Sequence, residues 1–384
     1  MQFEFATATR IIFGKGEIGN AGVLAASMGR RALITVGRDQ SRAELLVGVL
    51  KESGVQTIYF AVSGEPTTTL VRQGVELARQ EGCDLVIGFG GGSAIDAGKA
   101  IAILLTNEGD VYDYLEVIGK GKSFGRPSAP FVAIPTTAGT GSEVTRNAVL
   151  SAVDFGVKVS LRSSWMLPRL ALIDPSLTYS LQPDITAFTG LDALTQLIEP
   201  YLTKNPNPLT DTICREGMQR AARSLLNAYN NGKDEAARED MSIAALFSGL
   251  ALANAKLGAV HGFAGVLGGS LNAPHGAICA RLLPVVMSIN ARALSERAPQ
   301  SEAFARYDDV AQILTGKANA RAADGIAWLY DLVAGLGTAP LSSFGLRRND
   351  FPGIVQKSAK ASSMKGNPVQ LTQEEMSEIL ELSL

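Results

Sequence analysis

The stretch DLVIGFGGGSAIDAGKAIAILLTN, residues 84–107, decides the fold. It begins with a continuous apolar run that predicts a buried strand and ends with the pattern of a helix. Gly90, Gly91 and Gly92 join the two and are followed by Ser93. Glycine permits a tight turn that brings backbone N–H groups against a phosphate, and the positive end of a helix dipole favours the anion. A strand-to-helix turn without a ligand is the alternative.

Strands and helices alternate on both sides of this stretch. Short apolar runs predict strands at residues 32–36, 57–62, 84–90 and 131–136, with further candidates at 158–163 and 170–175. Amphipathic helical stretches separate the first runs. Apolar strands that alternate with such helices predict a parallel sheet covered on both faces. Pro175 breaks the pattern.

From about Asp184 onward, helical patterns follow one another without strands. The clearest stretches are residues 186–202, 209–229 and 238–258. A chain of 384 residues also favours two domains. We therefore predict an α/β nucleotide-binding domain at residues 1–180 and an all-helical domain at 181–384, with the site in the cleft between them.

The composition excludes several classes of function. The chain has 35 basic and 37 acidic residues and no basic stripe, so we expect no nucleic-acid partner. No apolar run reaches the roughly 18 residues of a membrane span, and the N-terminus lacks the pattern of a secretory signal. Cys83, Cys214 and Cys279 lack CxxC spacing, which indicates reduced core thiols in a cytoplasmic protein.

A second cluster rich in glycine and hydroxyl groups, IPTTAGTGSEVT, follows the strand at 131–136. Its hydroxyls at Thr136, Thr137, Thr140 and Ser142 suit a pyrophosphate or a ribose, although a surface loop is the alternative. The glycines of FGKGEIGNAG, residues 13–22, resemble a loose dinucleotide fingerprint. We reject that interpretation in favour of a turn because we predict no strand before them.

The chain has only two histidines, His261 and His275. With Asp192 they have the composition of a divalent-metal site. Gln196 follows Asp192 by four residues, so the two share one helix face. Ordinary buried residues with satisfied hydrogen bonds are the alternative for each residue alone.

Five motifs resemble the iron-containing (group III) alcohol dehydrogenase family. In chain order they are GGGSAIDAGKA, PTTAGTGSEVT, ALIDPSLT, TGLDALTQLIE and VHGFAGVLGGSLNAPHG. The resemblance implies an N-terminal α/β dinucleotide domain, a C-terminal helical domain and hydride transfer between a nicotinamide and an alcohol–aldehyde pair. It also implies a small-molecule substrate and a homodimer.

The same resemblance implies the cofactor positions. It places the pyrophosphate on Gly91, Gly92 and Ser93. The remaining positions that it implies are Asp96, Thr136, Thr137, Thr140, Ser142 and Lys158. After the strand at 32–36, Gly37 occupies the place of an acid that binds the adenosine ribose in many relatives, with Arg38 and Asp39 next. We expect NAD, with Gly37 and Asp39 at the ribose, and keep NADP as the alternative.

For the metal, Fe2+ or Zn2+, the resemblance implies Asp192, His261 and His275 as ligands. The family's fourth ligand is a histidine, and this chain has Gln196 there, which makes Gln196 a doubtful ligand. A proton-relay histidine common in the family is replaced by Gly265. These losses leave open a site with weakly bound metal or none.

The predicted function is an NAD(P)-dependent alcohol dehydrogenase or aldehyde reductase. A divalent metal at the catalytic residues Asp192, His261 and His275 would polarise the substrate oxygen. One alternative is a metal-independent reductase of the maleylacetate type, which acts on a keto acid, with Arg146 and Lys158 as candidate carboxylate partners. A lyase like the dehydroquinate synthases and an inactive relative are further alternatives.

Overall fold

The computed structural model describes residues 2–271 and 273–384, and in it residues 84–107 supply one strand of a six-stranded parallel sheet and the helix that follows this strand. The strands are β1 Ile11–Phe13, β2 Arg31–Val36, β3 Gln56–Ala61, β4 Leu85–Gly90, β5 Phe131–Pro135, β6 Asn147–Ala152, β7 Val157–Arg162 and β8 Leu170–Ile173. The sheet order is β1-β8-β5-β4-β2-β3, and every neighbouring pair is parallel. The predicted parallel sheet is confirmed.

Helices connect these strands and fill the second half of the chain. Up to residue 114 they are α1 Ala21–Ala26, α2 Glu44–Glu52, α3 Thr68–Gln80, α4 Gly92–Thr106 and α5 Val111–Tyr114. After β8 they are α6 Pro183–Tyr201, α7 Pro208–Asn230, α8 Glu235–Asn254, α9 Ala259–Ser270, α10 His275–Arg297, α11 Glu302–Thr315, α12 Ala322–Gly335, α13 Phe351–Ala359 and α14 Gln373–Leu382. The predicted helical second half is confirmed.

Alternate residues of the central strand pack on opposite faces of the sheet. Leu85 and Ile87 belong to one buried apolar cluster, which includes residues of α1 and α2. Val86 belongs to another, which includes residues of α3 and α4. Because side chains of a strand alternate between its faces, both faces need a cover of helices. This is why the strand is apolar throughout.

Two features differ from the prediction. The run at 158–163 is a strand, but β7 pairs antiparallel with β6 in a separate two-stranded sheet. Burial alternates along β7, so only one face of it is covered, which is typical of an antiparallel pair. In addition, β1 precedes Gly14, so the premise that no strand lies there is wrong. The glycines after it form a turn and a short 3-10 helix, as we expected.

The chain divides into two compact units. One consists of residues 6–137 and 141–179 and contains the sheet. The other consists mainly of residues 180–384 and also includes the short segments 2–5 and 138–140. By length and composition, α10 could cross a membrane, and so could α8 and α9 taken together across their 95° bend. Of the apolar window in α10, 83% is buried inside the fold, and core helices pass the same test.

Candidate active site

One face of α6 carries three polar side chains into the interior of the helical unit. Asp192, Gln196 and Glu199 are spaced four and three residues apart, so they lie above one another on the helix. None is more than 7% exposed. Buried polar groups require partners, which makes this face a candidate site.

Two glycines allow α9 and α10 to approach this face closely. A Cβ atom on Gly258, just before α9, would lie 2.8 Å from Glu199 Oε1. One on Gly276, in the first turn of α10, would lie 2.2 Å from the backbone oxygen of Phe188. The close approach brings in His261, in the first turn of α9, and His275, the first residue of α10. The sequence predicts a turn at His275, but the helix already begins there, with Pro274 as its N-cap.

Four ligand atoms converge at this point. The Nε2 atoms of His261 and His275 lie 3.4 Å and 3.8 Å from Asp192 Oδ1. The Sγ atom of Cys279 lies 4.0 Å and 3.6 Å from the same two nitrogens. All four atoms lie within 4.8 Å of one another. Over residues 2–271 and 273–384, this is the one group of histidine, cysteine and carboxylate side chains drawn together in this way.

Glu199 fixes the orientation of His261. Its Oε2 atom lies 2.6 Å from His261 Nδ1, and its Oε1 atom accepts a hydrogen bond of 2.6 Å from the backbone N–H of Val260. A carboxylate can only accept, so Nδ1 donates and the other ring nitrogen, Nε2, points toward Asp192. A carboxylate behind an imidazole is the usual second partner of a metal-binding histidine.

The structure places Gln196 behind Asp192. Its Nε2 atom donates to Asp192 Oδ2 at 3.0 Å, while Ser248 Oγ lies 3.5 Å from its Oε1 atom. Asp192 Oδ1, by contrast, is buried and has no hydrogen-bond partner in the described part of the chain. It lies 3.4 Å from Nε2 of His261, and a carboxylate oxygen this close to a ring nitrogen needs a positive charge between them, either a proton on Nε2 or a cation that takes its place. The residues present therefore fit a divalent cation.

The electrostatics of the cluster also favour positive charge. Burial acts to raise the pKa of Asp192, but the neighbouring imidazoles outweigh it and hold the pKa below its usual value. Burial acts to lower the pKa of His261, but Cys279 and the carboxylates raise it well above 6.5. The sulfur of Cys279 is the main cause that raises the pKa of His275, against burial. A bound cation would replace the imidazole protons that these negative groups attract.

The structure brings Asp192, His261 and His275 together, as the sequence interpretation required. Sequence reasoning missed two residues that neighbour this group, Glu199 and Cys279. Glu199 lies seven residues after Asp192, two turns along the same helix face, and Cys279 lies four residues after His275. That helical spacing is a signal in the sequence that both residues could join the site, but from the sequence alone Cys279 is interpreted as a core thiol.

In the sheet unit, several predicted cofactor-binding residues lie at the carboxyl ends of neighbouring strands. Gly37 follows β2, Gly91 follows β4, and Thr136 and Thr137 follow β5, and these three strands are neighbours in register. The chain leaves β2 toward β3 and leaves β4 toward β5, in opposite directions along the sheet. Ligands of α/β proteins bind outside the carboxyl ends of strands at such a switch point. Gly91 is the N-cap of α4, whose first turn holds Gly92 and Ser93.

A buried lysine ties α4 to the second glycine-rich segment. Lys99 Nζ lies 3.0 Å from Asp96 Oδ1 and donates to the backbone oxygen of Ser142 and to Thr145 Oγ1, each at 2.9 Å. Ser142 Oγ donates to Asp96 Oδ1, and the backbone N–H of Val149 donates to Asp96 Oδ2. Lys99 is 1% exposed, so this ion pair with Asp96 is buried and not a solvated surface pair.

The other predicted cofactor residues are Asp39, Lys158 and Thr140. Asp39 caps a 3-10 helix, where its Oδ1 atom accepts from the backbone N–H and the hydroxyl of Ser41. These hydrogen bonds lower the pKa of Asp39. Lys158 lies on β7 and forms an ion pair with Glu65. Thr140 belongs to the segment 138–140 of the helical unit.

Two family models cover nearly the whole chain. One, described as iron-containing alcohol dehydrogenase, matches residues 8–175. The other, described as the C-terminal part of the Fe-containing alcohol dehydrogenase family, matches residues 186–384.

Individual relatives agree with these matches. Alcohol dehydrogenase 4 of Schizosaccharomyces pombe is 36% identical over 338 residues, which is 88% of this chain and 77% of that protein. The 1,3-propanediol dehydrogenase of Citrobacter freundii is 36% identical over 337 residues, 86% of this chain and 84% of that protein. A crystal structure of a 1,3-propanediol oxidoreductase superimposes with a TM-score of 0.93 at 32% identity, with 100% of both chains covered.

Proposed function

Because this chain belongs to the iron-containing alcohol dehydrogenase family, we propose an assignment of its reaction to individual residues. The reaction is an NAD(P)-dependent transfer of hydride between an alcohol–aldehyde pair and a nicotinamide. Asp192, His261 and His275 hold a divalent cation. When bound, the cation supplies the Lewis acidity that polarises the substrate oxygen. The observation that carries this assignment is the buried, unpartnered Oδ1 atom of Asp192, which faces two imidazole nitrogens.

The surrounding residues keep this ligand set in place. Glu199 holds His261 in the tautomer that directs Nε2 inward. Gln196 donates a hydrogen bond to Asp192 Oδ2 and leaves Oδ1 available for the cation. We therefore assign Gln196 the role of positioning Asp192 and not that of a ligand. A Cβ atom at Gly265 would meet nothing within 4 Å, so there is room for water in the next turn after His261. The substrate proton leaves through that water and not through a side chain at this position.

The sheet unit binds the dinucleotide. Its pyrophosphate lies at the first turn of α4, against Gly91, Gly92 and Ser93, with Thr136 and Thr137 beside it. We favour NAD over NADP because both hydrogen bonds that Asp39 accepts from Ser41 fall on Oδ1, which leaves Oδ2 for a ribose hydroxyl. A negative charge there would also repel a 2′-phosphate.

We propose a small primary alcohol or its aldehyde as the substrate class. Relatives named for 1,3-propanediol, which is a primary alcohol, support this choice. We further propose that residues 1–180 form the cofactor domain and residues 181–384 the metal and substrate domain. The homodimer and the cytoplasmic location remain predictions from the sequence.

A panel of primary alcohols, aldehydes and keto acids tests the proposal. Each is assayed with NAD and NADP, before and after treatment with a chelator, and metal content is measured in parallel. We expect turnover of alcohols and aldehydes that disappears with the metal and returns when a divalent cation is restored. The variant His261→Ala should lose both metal and turnover. Turnover of keto acids that survives complete removal of metal would favour the maleylacetate type of reductase instead.

A further inference from the structure

We propose that Cys279 is the fourth protein ligand of the divalent cation, so that the site is built from one carboxylate, two imidazoles and one thiolate. The proposal rests on the metal site assigned above and adds to it a residue and a metal preference. Cys279 lies on α10, one helical turn after His275, and has no exposed surface. Side chains four residues apart on a helix point to the same side, so the two can bind one ion.

The distances fit a tetrahedral arrangement. With metal–nitrogen and metal–oxygen bonds of about 2.0–2.1 Å and a metal–sulfur bond of about 2.3 Å, tetrahedral angles separate nitrogen from oxygen by about 3.3 Å and nitrogen from sulfur by about 3.6 Å. The observed nitrogen–oxygen separations are 3.4 Å and 3.8 Å. The observed nitrogen–sulfur separations are 3.6 Å and 4.0 Å. These four separations lie within about 0.5 Å of the tetrahedral values, and the other two, between the two nitrogens and between the oxygen and the sulfur, are at most 4.8 Å.

The surroundings of the sulfur differ from those of a cysteine that only fills a core. A buried thiol used for packing gains its stability from apolar neighbours. The Sγ atom of Cys279 instead lies close to two imidazole nitrogens and within 4.8 Å of the carboxylate oxygen that lacks a partner. When the metal–sulfur bond forms, the S–H bond breaks and the proton passes to solvent.

A thiolate here replaces an imidazole from a different helix. The family resemblance puts a fourth ligand on α6, at the position of Gln196, but here that amide donates to Asp192. The sulfur from α10 restores the number of ligands. A thiolate and a carboxylate together also neutralise a dication, whereas three histidines and one carboxylate leave one positive charge. We therefore expect a weaker Lewis acid and, because thiolates prefer softer ions, stronger binding of Zn2+ than of Fe2+.

X-ray absorption at the zinc edge tests the proposal on the intact protein. The protein is stripped of metal and reloaded with one equivalent of Zn2+. We expect one sulfur neighbour at about 2.3 Å in addition to nitrogen and oxygen neighbours at about 2.0–2.1 Å. Loading with Co2+ should give the near-ultraviolet charge-transfer band of a thiolate–cobalt bond.

Two variants sharpen the result. Cys279→Ser should lose the sulfur neighbour and the charge-transfer band and should bind Zn2+ at least about tenfold more weakly. Cys214→Ser is the matched control because Cys214 is equally buried in the same unit but is not part of the cluster, and it should retain both signals. If Cys279→Ser does not fold, the spectra of the unaltered protein still decide the question.

The possible failures are distinguishable. A zinc shell of nitrogen and oxygen alone, with no thiolate band, would overturn the role of Cys279 and leave the three-ligand metal site standing. A protein that binds neither Zn2+ nor Co2+ at all would overturn the metal site itself, and this inference with it.

Discussion

Glu199 joins two elements through a single carboxylate. It accepts a hydrogen bond from Nδ1–H of His261 and another from the backbone N–H of Val260 at the start of α9. Glu199→Gln removes the charge that holds the imidazole in its tautomer, so we expect metal affinity to fall roughly 10–100-fold. Titration of the metal-free protein against a competing chromophoric chelator measures the effect. Glu239→Gln, on the exposed surface of α8, is the control and should leave affinity unchanged.

Gly265 offers the opposite experiment, in which a group is added. A side chain there meets open space, so Gly265→His should fold normally. We expect the unaltered enzyme to show no ionisation near 6.5 in the pH profile of kcat, since both histidines of the chain lie in the metal cluster. Gly265→His should add such an ionisation. If the unaltered enzyme already has one near this value, and a change at another side chain abolishes it, the proton leaves by a route different from the one proposed.

At the scale of elements, the start of α4 is the most exacting junction for the cofactor. A Cβ atom on Gly91 would lie 3.4 Å from Thr137, an approach that the protein alone can accommodate. A phosphate at the same place cannot share the space with a larger side chain, so Gly91→Val should weaken NAD and NADP binding at least about tenfold. Fluorescence titration of each nucleotide measures this. Gly48→Ala, inside α2 with no neighbour in reach, should bind both normally, and unchanged binding in Gly91→Val would refute the assignment.

Elements with a long or regular pattern of apolar residues could be predicted from the sequence. The very short strand β1 and the partner of strand β7 could not. The apolar runs of β2, β4 and β5 and the long helices α6, α7 and α8 can be located to within a few residues because extensive burial leaves a clear apolar pattern. The three residues of β1 are too few to show a period. The pairing of β7 with β6 depends on a partner strand, which no property of 158–163 alone reveals.

The same distinction applies to the site. His261 and His275 could be singled out because they are the only two histidines of the chain, and Asp192 because a motif contains it. The roles that we propose for Cys279 and Glu199 depend on their neighbours in space, and the sequence shows only their spacing along a helix. Local patterns predict what a residue can do, whereas the packing of α6, α9 and α10 determines which residues meet.

At the scale of the whole molecule, one buried acid should make a measurable contribution to how stability changes with pH. Burial raises the pKa of Glu143 from 4.5 to about 7, while Lys99 acts in the opposite direction. An acid whose pKa is higher in the folded state stabilises the fold below 4.5, and this contribution is lost as the pH rises through about 7. Glu143→Gln cannot ionise, so it should be about as stable as the unaltered protein at pH 5 and more stable at pH 8, by up to about 3 kcal/mol.

Urea unfolding of both proteins at the two pH values measures this difference, in which the titration of all other groups cancels. A gap that does not widen between pH 5 and pH 8 would show that Glu143 is already ionised in the folded protein.

The order of the two units along the chain has a consequence for biosynthesis. All of the sheet unit has been translated by residue 179, whereas the proposed metal ligands are spread from Asp192 to Cys279. At about 5–20 residues per second, a ribosome needs on the order of several seconds to travel between those two ligands. Until His261 has been translated, the nascent chain holds the carboxylate of Asp192 with no imidazole to share an ion. The full set of proposed ligands therefore exists only after the whole sheet unit has been made, so we expect the sheet unit to be able to fold before metal binds.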